Sequence, residues 1–304
     1  MRHTSRIIVK TVVGLPTLDK RGKTPGIIMD PAIINPFGRN TDYSKVTHTI
    51  YEKLVQYAAY PDISMGQCTN VSNTGATLIK FFNITSTDTQ AVLWNLPSEK
   101  NIIVSIPGTA SDRDWLTDFD FFLTNYASPG VVCPGGCQVH SGFVGAWNSL
   151  APELMPALES ALEANPDYRT VITGHSLGGA LAQLAFASLS NAKYKVVGAY
   201  TYGQPRVGNQ AFADYIDSLA GASYNKTGIF YRVTHFNDGV PLLPPQILGF
   251  THSLTEFWES TNKSQECTTY QCYGQESSEC VDSAGGFGVN NAHVTYAGLQ
   301  SSCD

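Results

Sequence analysis

The chain has 304 residues, of which 42% are hydrophobic, and its formal net charge is −6. This length permits one large core, and α/β domains of this size commonly form a single unit. The absence of a basic run or stripe argues against nucleic acid as a partner. The absence of any run of about 18 consecutive apolar residues means that no transmembrane segment is predicted.

The N-terminal part differs in composition from the rest of the chain. Residues 1–40 are rich in proline, glycine and lysine and predict a pro-segment or an extended arm, followed by one domain over 41–304. Lys20 and Arg21 fit dibasic processing as well as they fit an ordinary solvated surface. No intact signal peptide is visible, since the opening lacks a continuous apolar core. Apolar residues at helical spacing then predict a helix over about 43–59.

Short β-rich runs and helical patterns alternate along the rest of the chain. Pro152 and Pro156 imply a break or kink near the middle of the longest predicted helix. Strands that alternate with helices indicate a mostly parallel sheet with right-handed crossovers. The predicted elements are strands over 77–82, 91–94 and 101–108, a helix across 142–165, a strand over 170–173, a helix from Leu177, a strand within 195–208, a helix over about 209–220 and a strand within 229–233.

The pentapeptide GHSLG at 174–178 lies between a β-branched run and an alanine-rich helical run. Strand, glycine-flanked serine and helix form the context of a G-x-S-x-G nucleophile elbow. The glycines allow strand and helix to approach closely, and the sharp turn exposes the serine hydroxyl near the first helical N–H groups. Ser176 is therefore a candidate nucleophile, and an ordinary Gly-Ser turn is the alternative.

A serine nucleophile needs a base that is itself oriented by an acid. In the chain order typical of this motif, the acid and then the histidine follow the serine. Asp238 stands just beyond a predicted strand, where ligand chemistry occurs in open α/β sheets, although a loop Asp-Gly pair is also an ordinary turn. His175 is predicted to pack or to form hydrogen bonds. The remaining candidate bases are His235, His252 and His293, and the candidate acids are Asp214, Asp217, Asp238 and Asp282.

Cysteines and glycosylation sequons indicate the compartment. Seven cysteines without a convincing zinc pattern, together with four Asn-x-Ser/Thr sequons, favour a secreted, disulfide-bonded glycoprotein. The odd cysteine count leaves at least one thiol unpaired or bonded to something else. The sequons are at Asn70, Asn83, Asn225 and Asn262.

Five blocks occur in order between about 46 and 303: GHSLGGALAQL, YTYGQPRVGNQAFADYI, YRVTHFNDGVPLLPP, GFTHSLTEFW and GVNNAHVTYAGL. Together they resemble the fungal class 3 lipase family, which also contains feruloyl esterases. The resemblance implies an α/β-hydrolase fold, in which helices flank a mostly parallel central sheet and a short lid covers the active site. It further implies Ser176 as nucleophile, Asp238 as acid and His293 as base, with structural roles for His235 and His252. No metal or cofactor is expected.

The resemblance also implies a cradle for the tetrahedral oxyanion. One donor is the backbone N–H of Leu177, at the start of the predicted helix, and the other is Thr109, through its N–H and hydroxyl. The family carries an arginine before the glycine that precedes this threonine, and Pro107 stands at that position here.

The segment after Thr109 bears on the substrate. Trp115 and Leu116 occupy the position of the family's short lid, where a tryptophan suits burial at a lipid surface. Phe121 lies beyond the lid as a further candidate substrate contact, and 119–123 is interpreted as part of an amphipathic core helix. The chain ends in SSCD without a terminal tryptophan. These features favour a lipid acyl ester over a phenolic one.

Three disulfides are implied by the same resemblance. Cys133 pairs with Cys137, Cys68 pairs with Cys303, and Cys267 pairs with Cys280, which leaves Cys272 as the odd thiol.

The resulting hypothesis is a secreted, monomeric serine lipase that hydrolyses acylglycerol esters through an acyl-serine intermediate, gated by a lid at the lipid–water interface. A feruloyl or other small-ester carboxylesterase is the alternative within the family. A catalytically inactive lipid- or glycan-binding relative is the alternative from another class, and the three occupied triad positions argue against it.

Overall fold

The computed structural model describes residues 42–63, 70–71, 74–108, 121–224 and 226–299. Among these residues, none of the helices has the length and apolar character required to cross a membrane. The helices are α1 (His48–Ala58), α2 (Ser141–Ala164), α3 (Leu177–Leu189) and α4 (Gln210–Ala220). The strands are β1 (Tyr43–Lys45), β2 (Asn70–Val71), β3 (Ala76–Ile84), β4 (Thr89–Leu96), β5 (Asn101–Ile106), β6 (Leu123–Asn125), β7 (Gln138–His140), β8 (Arg169–His175), β9 (Val196–Tyr202), β10 (Phe230–His235), β11 (Glu256–Glu259) and β12 (Thr269–Cys272).

A ten-stranded sheet forms the centre of the described structure, in the order β1-β12-β11-β10-β9-β8-β5-β4-β3-β2. The five middle strands, from β11 to β5, run parallel, and the strands on both sides are antiparallel. The parallel core confirms the predicted α/β architecture. Parallel strands place their carboxyl ends at one edge of the sheet, and the loops that leave β8, β9 and β10 therefore meet there.

Two apolar clusters cover the two faces of the sheet. Ile172 of β8 belongs to the cluster that contains α2 and α3, whereas its neighbour Val171 belongs to the cluster that contains α1. In β5, Ile102 and Ile103 divide between the same two clusters. Successive side chains of a strand point to opposite faces, so continuous apolar runs in the sequence indicate strands buried on both sides.

The first helix is shorter than predicted. α1 begins at His48, because Thr47 has extended backbone dihedrals and its hydroxyl accepts a hydrogen bond from the N–H of Ile50 at 3.4 Å. The residues before it form β1, which pairs antiparallel with β12. This pairing joins residues more than 200 positions apart, so local periodicity could not indicate it.

Of the break or kink predicted for the longest helix, the break is wrong, since α2 continues through Pro152 and Pro156. A proline in a helix interior costs about 3 kcal/mol, so other interactions must stabilise the helix. Its buried face, which includes Leu150, Leu154 and Leu158, packs into the larger apolar cluster and provides them.

The interpretation of 119–123 as part of a core helix is wrong at its C-terminal end. Leu123 begins β6 and pairs with His140 of β7, and the Phe122 side chain is 64% exposed. Pairing with β7 outweighs the local helical spacing. Residues 109–120 lie outside the described residues.

The structure corrects one of the implied disulfides. Cys133 and Cys137 are bonded as expected, but Cys280 pairs with Cys272 instead of Cys267. Cys272 ends β12, and its Cα lies 6.5 Å from that of Cys280, within disulfide range. Cys267 lies before β12 and is an exposed free thiol. Cys68 and Cys303 lie outside the described residues.

The exposed thiol gives a first prediction. Iodoacetamide added to the unreduced protein should alkylate Cys267, which borders a cavity of about 440 Å³ also lined by Lys45 and Glu266. Cys272 and Cys280 should remain unlabelled until a reductant is added. Peptide mass spectrometry distinguishes the sites, and label on Cys280 without reductant would show that the pairing is wrong.

Asp217 connects α4 to the chain beyond β10. Its carboxylate accepts hydrogen bonds from the N–H of Leu254 and from Gln275 Nε2, both at 2.7 Å. Burial raises the pKa of Asp217 from its usual 3.8 to about 6. An acid with a raised pKa binds its proton more tightly in the folded chain, so stability is highest when it is protonated and falls as the pH rises from about 4 to about 6.

The second prediction follows from this sign. Asp217→Asn removes the titrating group, so its free energy of unfolding relative to the parent should rise by on the order of 2 kcal/mol between pH 4 and pH 7. Denaturant unfolding at both values measures the change. Asp282→Asn, at an exposed aspartate, is the control and should show no such change. A constant difference between Asp217→Asn and the parent would contradict the prediction.

Candidate active site

Ser176 forms the turn between β8 and α3. Its φ of 56° and ψ of −125° are unusual for a residue with a side chain and indicate local strain. Its N–H donates to the carbonyl of Tyr202 at 2.9 Å, which holds the turn against β9. The side chain is only 1% exposed. The sequence therefore predicted the position of the elbow, whereas the serine that the turn was expected to expose is buried.

Both glycines of the pentapeptide are required by close backbone approach. A Cβ on Gly174 would lie 2.2 Å from the carbonyl oxygen of Gly178. A Cβ on Gly178 would lie 2.1 Å from the carbonyl oxygen of Ile106, at the end of β5. Real Cβ atoms do not approach backbone so closely, and any side chain at either position would therefore push α3 away from the strand ends.

The structure brings Ser176, His293 and Asp238 together. His293 Nε2 lies 2.8 Å from Ser176 Oγ, and His293 Nδ1 lies 2.9 Å from Asp238 Oδ2. The side chains of His293 and Asp238 are fully buried. An ionised carboxylate only accepts hydrogen bonds, so Nδ1–H donates to Asp238 and Nε2 is left to accept the serine proton.

Backbone and side-chain contacts hold the acid and the base relative to each other. Asp238 Oδ1 accepts the N–H of Val240 at 2.9 Å. His293 stands in a 3₁₀ turn, Asn291–Val294, which Asn290 caps by accepting the N–H of Ala292 at 2.9 Å. Asn290 Nδ2 also donates to the carbonyl of Asn237, the residue before the acid, at 2.7 Å. One asparagine thus connects the two segments.

Tyr296 also contacts the acid, a contact that the sequence analysis did not identify. Its hydroxyl donates to Asp238 Oδ2 at 2.5 Å, so this oxygen accepts from both Tyr296 and His293. Burial raises the pKa of Tyr296 well above its usual value, and the charge of Asp238 adds to the effect. The tyrosine therefore remains a donor and fixes the orientation of the carboxylate. In the sequence, the feature that could have indicated this contact is the position of Tyr296 three residues after His293.

Gly203, just beyond β9, was also missed. Its φ is +59°, and a Cβ there would lie 2.8 Å from His293 Cε1 and 3.0 Å from Asp238 Oδ2. The glycine leaves the space that the imidazole ring and the carboxylate occupy. A glycine at the carboxyl end of a central strand was the signal in the sequence.

The other candidate bases lie away from the serine hydroxyl. His252 Nε2 donates to the carbonyl of Pro241 at 2.7 Å, and burial lowers the pKa of His252 well below its usual value. The two ring nitrogens of His235 face backbone carbonyls. His175, as predicted, forms hydrogen bonds, with Nε2 at 2.8 Å from the carbonyl oxygen of His293. The other candidate acids are elsewhere: Asp214 and Asp217 lie on α4, and Asp282 is an exposed residue of the turn Val281–Ala284.

Only part of the predicted oxyanion hole and lid falls on described residues. Leu177 is the first residue of α3, so its N–H has no acceptor within the helix and lies next to Ser176. Thr109, Trp115 and Leu116 lie outside the described residues. Phe121 is partly exposed, and its ring meets that of His140 edge-on at 6.3 Å.

The predicted glycosylation sites and the possible metal ligands lie outside the triad. Asn83 and Asn262 are exposed, whereas the side chain of Asn70 and all of Asn225 lie outside the described residues. One cluster among the described residues has metal-ligand spacing, namely Glu256, Cys272 and Cys280. Its two cysteines form a disulfide and therefore offer no thiolate.

The chain is similar in sequence to known lipases. The sequence profile described as Lipase (class 3) matches residues 103–248. The secreted mono- and diacylglycerol lipase 1 of Fusarium solani is 34% identical over 242 residues, 78% of this chain and 68% of that protein. The secreted mono- and diacylglycerol lipase A of Penicillium cyclopium is 34% identical over 207 residues, 68% of this chain and 64% of that protein.

A solved structure agrees with these relatives. The triacylglyceride lipase of Rhizomucor miehei superposes with a TM-score of 0.73 at 29% identity, covering 86% of this chain and all of that one. The Rhizomucor miehei lipase has also been solved as a propeptide complex. The chain therefore belongs to the class 3 lipase family and has the α/β-hydrolase fold, as the profile match, the identity to the Fusarium protein, the superposition and the parallel sheet together show.

Proposed function

We propose that this protein is a secreted serine lipase that hydrolyses acylglycerol esters through an acyl-serine intermediate. The observation that carries the proposal is the continuous hydrogen-bonded series from Ser176 Oγ through His293 to Asp238. The names of the relatives support the substrate class, since they are mono- and diacylglycerol or triacylglyceride lipases.

In the acylation step, Ser176 is the nucleophile and His293 is the general base. As the oxygen of Ser176 bonds to the ester carbonyl carbon, its proton moves to His293 Nε2. Asp238 stabilises the imidazolium that forms, and Tyr296 keeps the carboxylate oriented toward it. The imidazolium then donates this proton to the leaving alcohol oxygen as the carbon–oxygen bond breaks. The acyl group remains on Ser176.

Deacylation repeats the same steps with water. His293 removes a proton from a water molecule that attacks the acyl carbon, and then returns the proton to Ser176 as the fatty acid leaves. The negative oxygen of both tetrahedral intermediates is proposed to bind at the start of α3, where Leu177 is the first helical residue and its N–H is the first donor. Thr109 is proposed as the second donor. Such preorganised donors commonly make the largest single contribution to catalysis.

The proposed partner is a lipid–water interface, contacted peripherally by a monomer. Trp115 and Leu116 are proposed as the lid and Phe121 as a substrate contact. Secretion is supported by the names of the relatives and by two disulfides in the described part of the chain. Glycosylation at the sequons and a pro-segment over residues 1–40 are further proposals, and the propeptide complex of the Rhizomucor lipase supports the latter.

A substrate panel tests the proposed function. The parent should hydrolyse emulsified triacylglycerol or monoacylglycerol faster than methyl ferulate, and its rate should rise sharply above the lipid's solubility limit. Ser176→Ala should reduce each rate by on the order of 10⁴-fold or more, because no other group replaces the nucleophile. Titration of released acid measures both effects.

Each other outcome of the panel has a distinct meaning. Preference for methyl ferulate would replace the lipase assignment with the esterase alternative. A smooth saturation curve through the solubility limit would contradict the proposed gating of the active site by a lid. Failure of an organophosphonate to label Ser176 would contradict the assignment as a serine hydrolase. The alternative of a catalytically inactive lipid- or glycan-binding protein would then remain.

The space beside Gly203 allows a sharper test of the triad geometry. Gly203→Ala should lower kcat/KM about tenfold to hundredfold, because the new methyl group displaces the imidazole ring. Gly221→Ala is the matched control, since Gly221 also has a positive φ, +65°, but a Cβ there meets no atom within 4 Å. The control shares the backbone strain and should keep parental kcat/KM. Equal losses in the two variants would assign the effect to strain alone.

A further inference from the structure

His175, the residue before the nucleophile, connects the catalytic base to an acid that the catalytic steps above do not use. Its Nε2 lies 2.8 Å from the carbonyl oxygen of His293, and its Nδ1 lies 3.1 Å from Oδ1 of Asp62. A carbonyl oxygen only accepts, so the Nε2–H of His175 donates to it. The His175 side chain is buried, with 3% exposure.

The bond to the carbonyl of His293 joins the base to the nucleophile a second time. The side chain of His293 binds Ser176 Oγ, whereas its backbone binds the ring of His175, which is bonded covalently to Ser176. The two imidazole rings lie 4.7 Å apart between centroids, with an angle of 32° between their planes. Two contacts to different atoms of His293 restrict its rotation relative to the serine more than one contact does.

The 3₁₀ turn that carries His293 uses other carbonyls for its own hydrogen bonds. The N–H of His293 donates to the carbonyl of Asn290 at 3.1 Å, and the N–H of Thr295 donates to that of Ala292 at 3.5 Å. A 3₁₀ turn has poor internal hydrogen-bond geometry. The position of the His293 backbone therefore depends on external contacts such as the bond from His175.

Asp62 is held in place by the packing of α1. It follows this helix, and its neighbours Pro61 and Ile63 are buried. The end of α1 is attached to β8, because Thr173 Oγ1 donates to the carbonyl of Tyr57 at 2.9 Å. A carboxylate forms stronger hydrogen bonds than a neutral acceptor does. The contact with Asp62 therefore determines the orientation of the His175 ring.

We propose that Asp62 and His175 are positioning residues for the catalytic base. Asp62 orients the His175 ring, and the ring holds the backbone of His293 so that its Nε2 stays in contact with Ser176 Oγ. Neither residue contacts the ester or transfers a proton to it. The proposal rests on the proposed function, since its effect is on the acyl transfer at Ser176.

Asp62→Ala removes the acceptor beside the His175 ring and leaves the triad side chains in place. Its kcat should fall about tenfold, because a small displacement of a catalytic group has an effect of this size or larger. KM should keep its parental value. Asp62→Asn retains an amide that can hydrogen bond to Nδ1 and should recover most of the lost kcat.

Phosphonate titration of Ser176 gives the concentration of active sites, so kcat then refers to the folded, active fraction alone. A purely structural role of Asp62 would lower that fraction and leave kcat unchanged. An unchanged kcat in Asp62→Ala, or a kcat in Asp62→Asn that is equally low, would overturn the proposal.

Glu99→Ala is the matched control for a loosened α1. Glu99 Oε2 accepts from Tyr57 Oη at 2.8 Å, so this variant removes another carboxylate that binds the end of α1. Glu99 precedes β5 and lies at the edge of the sheet opposite to the triad. The control should keep parental kcat. Equal losses in Glu99→Ala and Asp62→Ala would assign the effect to α1 and overturn the proposal.

A double-mutant cycle tests whether Asp62 acts through His175. His175→Asn has a shorter side chain that cannot donate from the position of Nε2, so its kcat should fall at least as far as that of Asp62→Ala. Adding Asp62→Ala to His175→Asn should then cause no further loss, since residues that act through one contact are not additive. Losses that multiply would overturn the proposal. If His175→Asn does not fold, the Asp62 variants and Glu99→Ala decide it.

The two proposals can fail separately. If the parent does not hydrolyse acylglycerols but a phosphonate labels Ser176, only the proposed substrate is wrong, and the labelling rate constant replaces kcat in the same variants. If acylglycerols are hydrolysed and Asp62→Ala keeps full kcat, the lipase assignment remains and the positioning role is wrong.

Discussion

The hydrogen bond of 2.8 Å between Ser176 Oγ and His293 Nε2 joins residues 117 positions apart, and the rest of the site depends on it. No local property of the chain creates this contact. It arises because β8, β9 and β10 are parallel neighbours, so that the elbow, Gly203 and the Asp238 loop leave the sheet at the same edge. The 3₁₀ turn that carries His293 packs against this edge from the far end of the chain.

Because the triad is buried, each of its polar groups requires a hydrogen-bond partner within the protein. Ser176, Asp238 and His293 are buried away from water. A buried polar group without a hydrogen-bond partner destabilises the fold, because no water molecule replaces the missing bond. Around the triad the donors and acceptors are paired with one another. Tyr296 and Val240 donate to the acid, and Asn290 connects the acid's loop to the base's turn. Such a network specifies one geometry, because displacing one member leaves a partner unsatisfied.

The sequence predicted the elements whose signals are local. The elbow has a strand, two glycines and a helix within twenty residues, and α4 was predicted almost to its ends. The resemblance to a family supplied the acid and the base, which reasoning from the residues alone had left among several candidates. The structure places these three side chains in hydrogen-bonding contact.

Signals that depend on distant pairing were missed or misread. β1 pairs with a strand far along the chain and β6 pairs with β7, the next strand. Residues of both were taken for parts of helices because three or four apolar residues happened to have helical spacing. The disulfide of Cys280 depends on where β12 ends, which cysteine spacing does not reveal. The role of Gly203 depends on the space between three segments, so its identity in the sequence indicated only a turn.

The residues that support the triad also explain why a histidine in a sequence motif is difficult to interpret. His175, His235 and His293 lie within one small region, and each is buried. Only His293 offers a nitrogen to the serine, because the ring nitrogens of His235 face carbonyl oxygens and Nε2 of His175 faces the carbonyl of His293. The distinction among these rings therefore follows from their acceptors: a histidine bound between a carboxylate and a hydroxyl can pass a proton, whereas one bound between two carbonyls can only hold it.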